Sequence, residues 1–229
     1  MTGKWLMAGL AALALCTGAR AERLIYLTEP EGEALVLGAQ LRGPYFKLAS
    51  YLETEQILTF CGPATIAAVL NSLGVERPQP TQFYPWALWT QPAVFTPANQ
   101  AVKPYAVVEH EGLILPELAT FFRNLGTRAE FAHADSFSLE QLRATVRSTL
   151  ADPGKRFVAN YSRKPIGQIG DGHISPIAAY DAASDRVLVL DVARYKYPPV
   201  WLALSDLYAG MQAVDSGSGK ARGYVVVSK

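Results

Sequence analysis

Residues 58–65 read LTFCGPAT. Pro63 suits the first turn of a helix, where its missing N–H costs nothing, so Cys61 stands at a helix start. Ile66, Val69, Leu70 and Leu73 follow at i, i+3, i+4 and i+7, which predicts a single buried stripe. Gly74 supplies the terminator, and the predicted helix runs from Cys61 to about Leu73. A free Cys is most often a buried, inert residue. A helix N-terminus gives it another use, because the unpaired N–H groups and the macrodipole there favour an anion. Thiols at such positions, with a cationic His nearby, fall from ~8.5 toward ~3.5–7.5. The expectation is a nucleophilic thiolate, with a backbone N–H of the same helix start serving as an oxyanion donor.

The thiol is also solitary. Lys4 precedes an apolar run from Trp5 to Cys16, and Ala19-Arg20-Ala21 has the small-x-small form of a cleavage site. The run is shorter than the ~20 residues a membrane span needs, so residues 1–21 read as a secretory signal peptide rather than an anchor. Lipid attachment at Cys16 is disfavoured, since Leu15 stands where a small residue is wanted. Cleavage before Glu22 removes Cys16 and leaves Cys61 without a disulfide partner. The expected product is an exported, periplasmic protein with one catalytic domain over residues 22–229. Half of the 229 residues are hydrophobic, 18% are charged and the net charge is +1. With no basic stripe, that balance argues against nucleic acid as a partner.

Around the Cys helix, residues 22–54 read as loops with short strands. Residues 76–106 hold six prolines among many aromatics and read as irregular but packed. Pro116 opens a helix closed at Gly126, and Ser138 with Gln141 forms a capping box for a helix along Leu139, Leu142, Val146 and Leu150. Beyond Gly154, short Val- and Ile-rich runs at Phe157–Tyr161, His173–Tyr180, Val187–Asp191 and Tyr224–Val227 predict strands. A hairpin turn is read at Asp181–Asp185, and a short helix near Ser205–Gln212. Helices lead and strands follow, an α+β order rather than an alternating parallel sheet.

A Cys nucleophile needs a base, and the chain has three His. His110 lies in a Glu-His-Glu context and reads as a surface or loop residue; His133, within Phe-Ala-His-Ala, reads as structural packing. His173 follows a Gly-rich stretch that lets backbone and substrate approach closely, and it leads a strand. A third group must orient the imidazole. Asp191, Asp171 and Asp181 compete for that role. Asp181 opens a turn, and Asp171 is too near in sequence to reach behind the ring easily. Antiparallel pairing would bring Asp191 beside His173. No metal-ligand spacing is visible.

The order Cys61, His173, Asp191 resembles the papain-like cysteine peptidase fold, with a helical lobe carrying the Cys and an antiparallel sheet lobe carrying His and Asp. Within that fold the chain is similar to the phytochelatin synthases, of the short single-domain bacterial type. The resemblance is carried by Phe60-Cys61-Gly62, Val69–Gly74, Asn160–Lys164, Ile166–Gly167–Gln168, Gly172–Pro176 and, most specifically, Leu190–Trp201, with Val214–Ser216 and Arg222–Gly223 near the end. It implies glutathione as substrate. The thiolate would attack the Cys–Gly amide, release Gly, and pass γ-glutamylcysteine to a second glutathione or to water. It also implies that no cofactor is required, that Cd²⁺ or Zn²⁺ enters as glutathione thiolate complexes, and that a homodimer is compatible with the family.

That family expects a Gln six residues before the Cys, completing the oxyanion hole. Here the place holds Glu55, followed by Gln56. A carboxylate would repel a developing oxyanion, so the expected donor is Gln56, through a one-residue shift. Glu55 in the site, charged or protonated, is the other arrangement. Arg163, Arg194, Lys196, Asn160 and Gly172 are the expected substrate-binding residues, the cations by charge-assisted bonds to carboxylates. The absence of a Cys-rich C-terminal region favours hydrolysis over peptide synthesis. Two rivals stand beside this reading: a papain-like peptidase of double-glycine leader peptides, and an inactive binding module.

Overall fold

The computed structural model describes residues 21–79 and 84–229. The signal peptide expected at 1–21 therefore lies, but for its last residue, outside the described residues. Among those described, no helix is long and apolar enough to cross a membrane.

A seven-stranded antiparallel sheet organises the chain. Its strands are β1 (Ile25–Tyr26), β2 (Arg128–His133), β3 (Lys155–Ser162), β4 (Gly172–Asp181), β5 (Arg186–Val189), β6 (Val200–Ala203) and β9 (Gly223–Ser228), with β7 (Val214–Asp215) and β8 (Lys220–Ala221) forming a separate hairpin. The order across the sheet is β1-β6-β5-β4-β3-β9-β2. Alternate residues serve opposite faces. Val158, Val225 and Val227 point into one apolar core, while Phe157, Ala159 and Tyr161 point into a second.

Helices cover both faces. On the first lie α1 (Pro30–Gly38), α2 (Gly43–Ser50), α3 (Cys61–Leu73), α4 (Pro97–Val102), α5 (Tyr105–Glu111) and α6 (Leu115–Asn124); on the second lie α7 (Leu139–Ala151) and α8 (Leu204–Gln212). The α+β class read from the sequence holds. The sheet is not bare on one side, however, because α7 and α8 pack Leu142, Val146, Leu150, Leu204 and Leu207 behind it.

Of the loops and short strands expected over 22–54, the short strand β1 is present, but most of the segment is two helices, each with a Pro in its first turn. Their weak apolar periodicity concealed them. Strand β2 was also unforeseen: Arg128–His133 alternates only partly, and it is paired along its length with β9. The capping box is present, with the Gln141 N–H donating to Ser138 Oγ at 3.2 Å and the Ser138 N–H to Gln141 Oε1 at 2.8 Å.

Helix α3 departs from the expected single stripe. It is buried on every side from Gly62 to Ser72. Ala64, Ala67 and Ala68 fill the positions between the larger apolar residues, and a helix apolar all round belongs in an interior. Polar bonds fix it there. Thr65 Oγ1 donates to the Ile174 carbonyl on β4 at 3.1 Å, and Arg156 from β3 donates to Ser72 Oγ and to the Ser72 carbonyl, both at 2.9 Å. Gly74 ends the helix in the left-handed region at φ 63°.

Candidate active site

The start of α3 meets the start of β4. Thr65 holds the two elements together one turn beyond Cys61, and this brings the half-buried thiol to the buried His173. Cys61 Sγ, a ring nitrogen of His173 and a carboxylate oxygen of Glu55 all lie within 4.8 Å of one another. Asp191 follows β5. The Leu190 N–H donates to the Pro176 carbonyl at 3.0 Å and the Val192 N–H to Ser175 Oγ at 3.2 Å, which carries the chain past the first residues of β4. Asp191 Oδ1 then sits 2.9 Å from His173 Nε2. Ser175 Oγ is 2.8 Å from the same nitrogen. Nδ1 is thereby left for the thiol.

Of the three aspartates in competition, the structure brings Asp191 to the imidazole. Asp171 pairs with Lys164 and accepts from Ser162 at 2.7 Å, and Asp181 caps its turn by accepting from the Ser184 N–H at 2.9 Å and Oγ at 2.6 Å.

The electrostatics differ from the expected lowered thiol. Burial, and next the Glu55 carboxylate, push Cys61 up to about 12, against the pull of the Ile174 and Gly62 N–H groups and of Arg163. Burial also lowers His173, although the Asp191 bond works the other way. The resting pair is therefore a neutral thiol and a neutral imidazole. For Asp191, burial would raise the carboxyl, but the hydrogen bond to His173 and the bond and charge of Arg163 hold it well below the usual carboxylate range.

Gln56 is exposed, and its N–H donates to Gln91 Oε1 at 2.9 Å. The Glu55 N–H donates to the Val192 carbonyl at 2.9 Å, next to Asp191, and this fixes the register. Glu55, not Gln56, faces the thiol. It is 5% exposed; Oε1 accepts from the Tyr195 hydroxyl, and Oε2 has no hydrogen-bond partner among the described residues. Burial raises its pKa above the ordinary carboxylate value.

Arg163 does not reach the open side of the site. It is buried behind Asp191, with Nη2 donating to Oδ1 at 2.9 Å and Nη1 to Gln168. Arg194 is exposed, with Nη1 3.3 Å from the Leu52 carbonyl, and Lys196 is exposed near Gly170. None of the three lines the cavity: Arg163 follows β3 and packs behind Asp191, and the turn after Asp191 carries Arg194 toward Leu52 and Lys196 toward Gly170.

The cavity is on the other side. It has a volume of about 620 Å³, and Cys61, His173, Asn160 and Gly172 are among its walls. Its charged groups are ones the sequence reading had not singled out as ligands. Arg222 is buried, with Nη1 3.3 Å from Asp215 Oδ2 and Nη2 3.6 Å from Asp171 Oδ1. Lys103 stands opposite, 3.1 Å from Glu111 and 3.3 Å from Glu117. His110, read as a surface or loop residue, is exposed in the last turn of α5 and lines the same cavity. The one signal available was Arg222 beside Gly223 in a stretch of family resemblance; nothing local marks Lys103.

A glutathione gamma-glutamylcysteinyltransferase 3 of Lotus japonicus is 32% identical over 208 residues, covering 90% of this chain and 42% of that protein. A glutathione gamma-glutamylcysteinyltransferase of Schizosaccharomyces pombe is 32% identical over 185 residues, covering 80% of this chain and 43% of that protein. One from Arabidopsis thaliana, numbered 1, is 29% identical over 208 residues, covering 90% and 42%. The chain thus spans about two fifths of the length of these curated relatives. A family model described as phytochelatin synthase matches residues 18–224, a stretch that takes in Cys61, His173, Asp191 and the residues lining the cavity, and the chain belongs to that family.

Proposed function

We propose that the chain is a glutathione γ-glutamylcysteinyltransferase and hydrolase on a papain-like two-lobe scaffold. The observation that carries this is the convergence of Cys61 and His173 at one wall of a charged cavity, with Asp191 buried against the imidazole. Cys61 Sγ attacks the carbonyl carbon of the Cys–Gly amide while His173 Nδ1 takes the thiol proton. A neutral pair suits this, since the proton moves as the bond forms. The N–H groups at the start of α3, which have no intrahelical partners, face the oxyanion. His173 returns the proton to the departing Gly amine. The thioester is then cleaved by water, or by the amine of a second glutathione, with His173 taking that proton and the thiol re-forming. Asp191 stabilises the imidazolium in both halves.

Arg222, with Asp215 and Asp171, suits the zwitterionic end of the γ-glutamyl group. The guanidinium meets the carboxylate and an aspartate the ammonium. Cd²⁺ or Zn²⁺ takes part as the substrate's thiolate complex. Residues 4–21 support export to the periplasm, tested by N-terminal sequencing of the secreted protein.

The test incubates the purified protein with glutathione, with and without Cd²⁺, and reads products and protein by mass. Gly release with a γ-glutamylcysteinyl adduct on Cys61 is expected. Equal Gly release from Cys61→Ser, or none from the wild type under either condition, would reject the proposal.

A further inference from the structure

The sequence shows no metal-ligand spacing, yet the fold brings three ligand types to one point. Glu55, Cys61 and His173 each offer an atom within 4.8 Å of the other two. Tetrahedral Zn²⁺ bonds of ~2.0–2.3 Å hold ligand atoms roughly 3.3–3.8 Å apart, so modest side-chain rotation closes the set. Two of the three side chains are deeply buried, Glu55 at 5% and His173 at 4% exposure. Glu55 also brings an oxygen, Oε2, with no hydrogen-bond partner among the described residues. Outside the trio the supports of a metal site are already present. Asp191 holds His173 Nε2 at 2.9 Å, the carboxylate–imidazole arrangement that orients a ligating His, and the Tyr195 hydroxyl holds Glu55 Oε1. One sulfur, one nitrogen and one oxygen, with a fourth position open, is a donor set for a borderline-soft ion and a poor one for Mg²⁺ or Ca²⁺.

We propose that Glu55, Cys61 and His173 form a binding site for free Zn²⁺ or Cd²⁺, and that the bound ion silences the enzyme by occupying its nucleophile and its base. The thiol proton leaves to solvent and Cys61 binds as thiolate. Metal presented as a glutathione complex would be substrate, whereas metal in excess of glutathione would be inhibitor. A Gln at position 55 would supply a weaker, neutral oxygen, so this control depends on the Glu at that position. The inhibitory consequence rests on the acyl transfer proposed above; the binding does not.

The experiment titrates the full, substrate-free protein with CdCl₂ and follows the sulfur-to-cadmium charge-transfer absorption in the ultraviolet. One equivalent should bind, Cys61→Ser should lose the band, and His173→Ala should weaken binding. Glu55→Gln should keep the band and weaken affinity by at least the ~10–100-fold that loss of an outer partner costs. Bound Cd²⁺ should also shield Cys61 of the wild type from iodoacetamide, a measure that needs no variant to fold. Equal affinity in Glu55→Gln, which would mean a simple mercaptide, or absence of shielding, would overturn the proposal. A protein that binds Cd²⁺ in this way but releases no Gly from glutathione would leave the site standing and reject the acyl-transfer reading instead.

Discussion

Arg163 and Asp191 form a buried ion pair behind the imidazole, with Nη1 2.7 Å from Oδ2 and Nη2 donating to Oδ1 at 2.9 Å. Oδ1 is the same oxygen that meets His173 Nε2. Arg163 is therefore a positioning residue: it sets the carboxylate that sets the ring. Nη1 also donates to Gln168, and the guanidinium lies 5.2 Å from the Tyr197 ring centre, so its orientation is fixed from three sides.

Arg163→Met keeps the stem and removes the charge. Leaving Asp191 buried and unpaired should cost roughly 3–5 kcal/mol of stability, read as a lower urea midpoint. The loosened His173 should cost kcat about 10²-fold, the scale of a ~1 Å misplacement, with KM for glutathione nearly unchanged. A raised KM at constant kcat would instead make Arg163 a substrate ligand.

Cys61 and His173 should fail together. Residues of one catalytic unit are non-additive when removed, so His173→Ala should lose about as much Gly release as Cys61→Ser, and the double variant little more. Independent, multiplying losses measured in single-turnover assays would argue against a shared mechanism.

The grouping of Cys61, His173 and Asp191 was legible because its signals are local and chemical. Pro63 and Gly74 bracket α3, and one hairpin relates His173 to Asp191. The cavity's charges were not legible, since they depend on long-range folding. Lys103 arrives from the end of α4 and meets Glu111 and Glu117, Arg222 arrives from the segment between β8 and β9 and meets Asp215, and only the fold brings these separated segments to one cavity with Cys61. Position 55 was hidden for a related reason. Whether Glu55 or Gln56 faces Cys61 is decided by a backbone bond to Val192, 137 residues away by numbering. The thiol's electrostatics followed from that choice: a helix start favours a thiolate, but burial and a facing carboxylate outweigh it.

Gly172 and Arg222 offer a steric test of the cavity. A Cβ at Gly172 would stand 2.5 Å from Arg222 Nη1 and 2.9 Å from Cζ. The guanidinium is buried and held 3.3 Å from both Asp215 and Asn160, so it must give up those contacts to make room. Gly172→Ala should raise KM for glutathione about as much as Arg222→Ala does, with little change in the rate of Cys61 alkylation. Unchanged KM in both variants would place the substrate's charged end elsewhere in the cavity.

Glu55 gives the pH dependence. Burial raises its pKa first; the Tyr195 bond lowers it, Asp191 raises it, and Arg163 and Lys196 lower it. A carboxyl raised above its unfolded value of ~4.3 keeps a proton in the folded state that the unfolded chain has lost. Its contribution is full below that value and is lost as pH rises through the folded pKa. Glu55→Gln cannot ionise, so its Tm advantage over wild type should be small near pH 4 and grow toward pH 8. Activity should follow the same proton. Ionised Glu55 raises the thiol further and repels the oxyanion, so wild-type kcat should fall across that window. Glu55→Gln should remove the fall and gain at neutral pH, up to the ~10²–10³ that one oxyanion donor is worth. Tyr195→Phe removes a bond that lowers the Glu55 pKa and should shift the fall to higher pH, while Gln56→Ala, at an exposed position, should change little. The measurement is kcat and Tm against pH for wild type and the three variants, with metal chelated. A Glu55→Gln enzyme slower than wild type at every pH, together with a crippled Gln56→Ala, would return the oxyanion to Gln56.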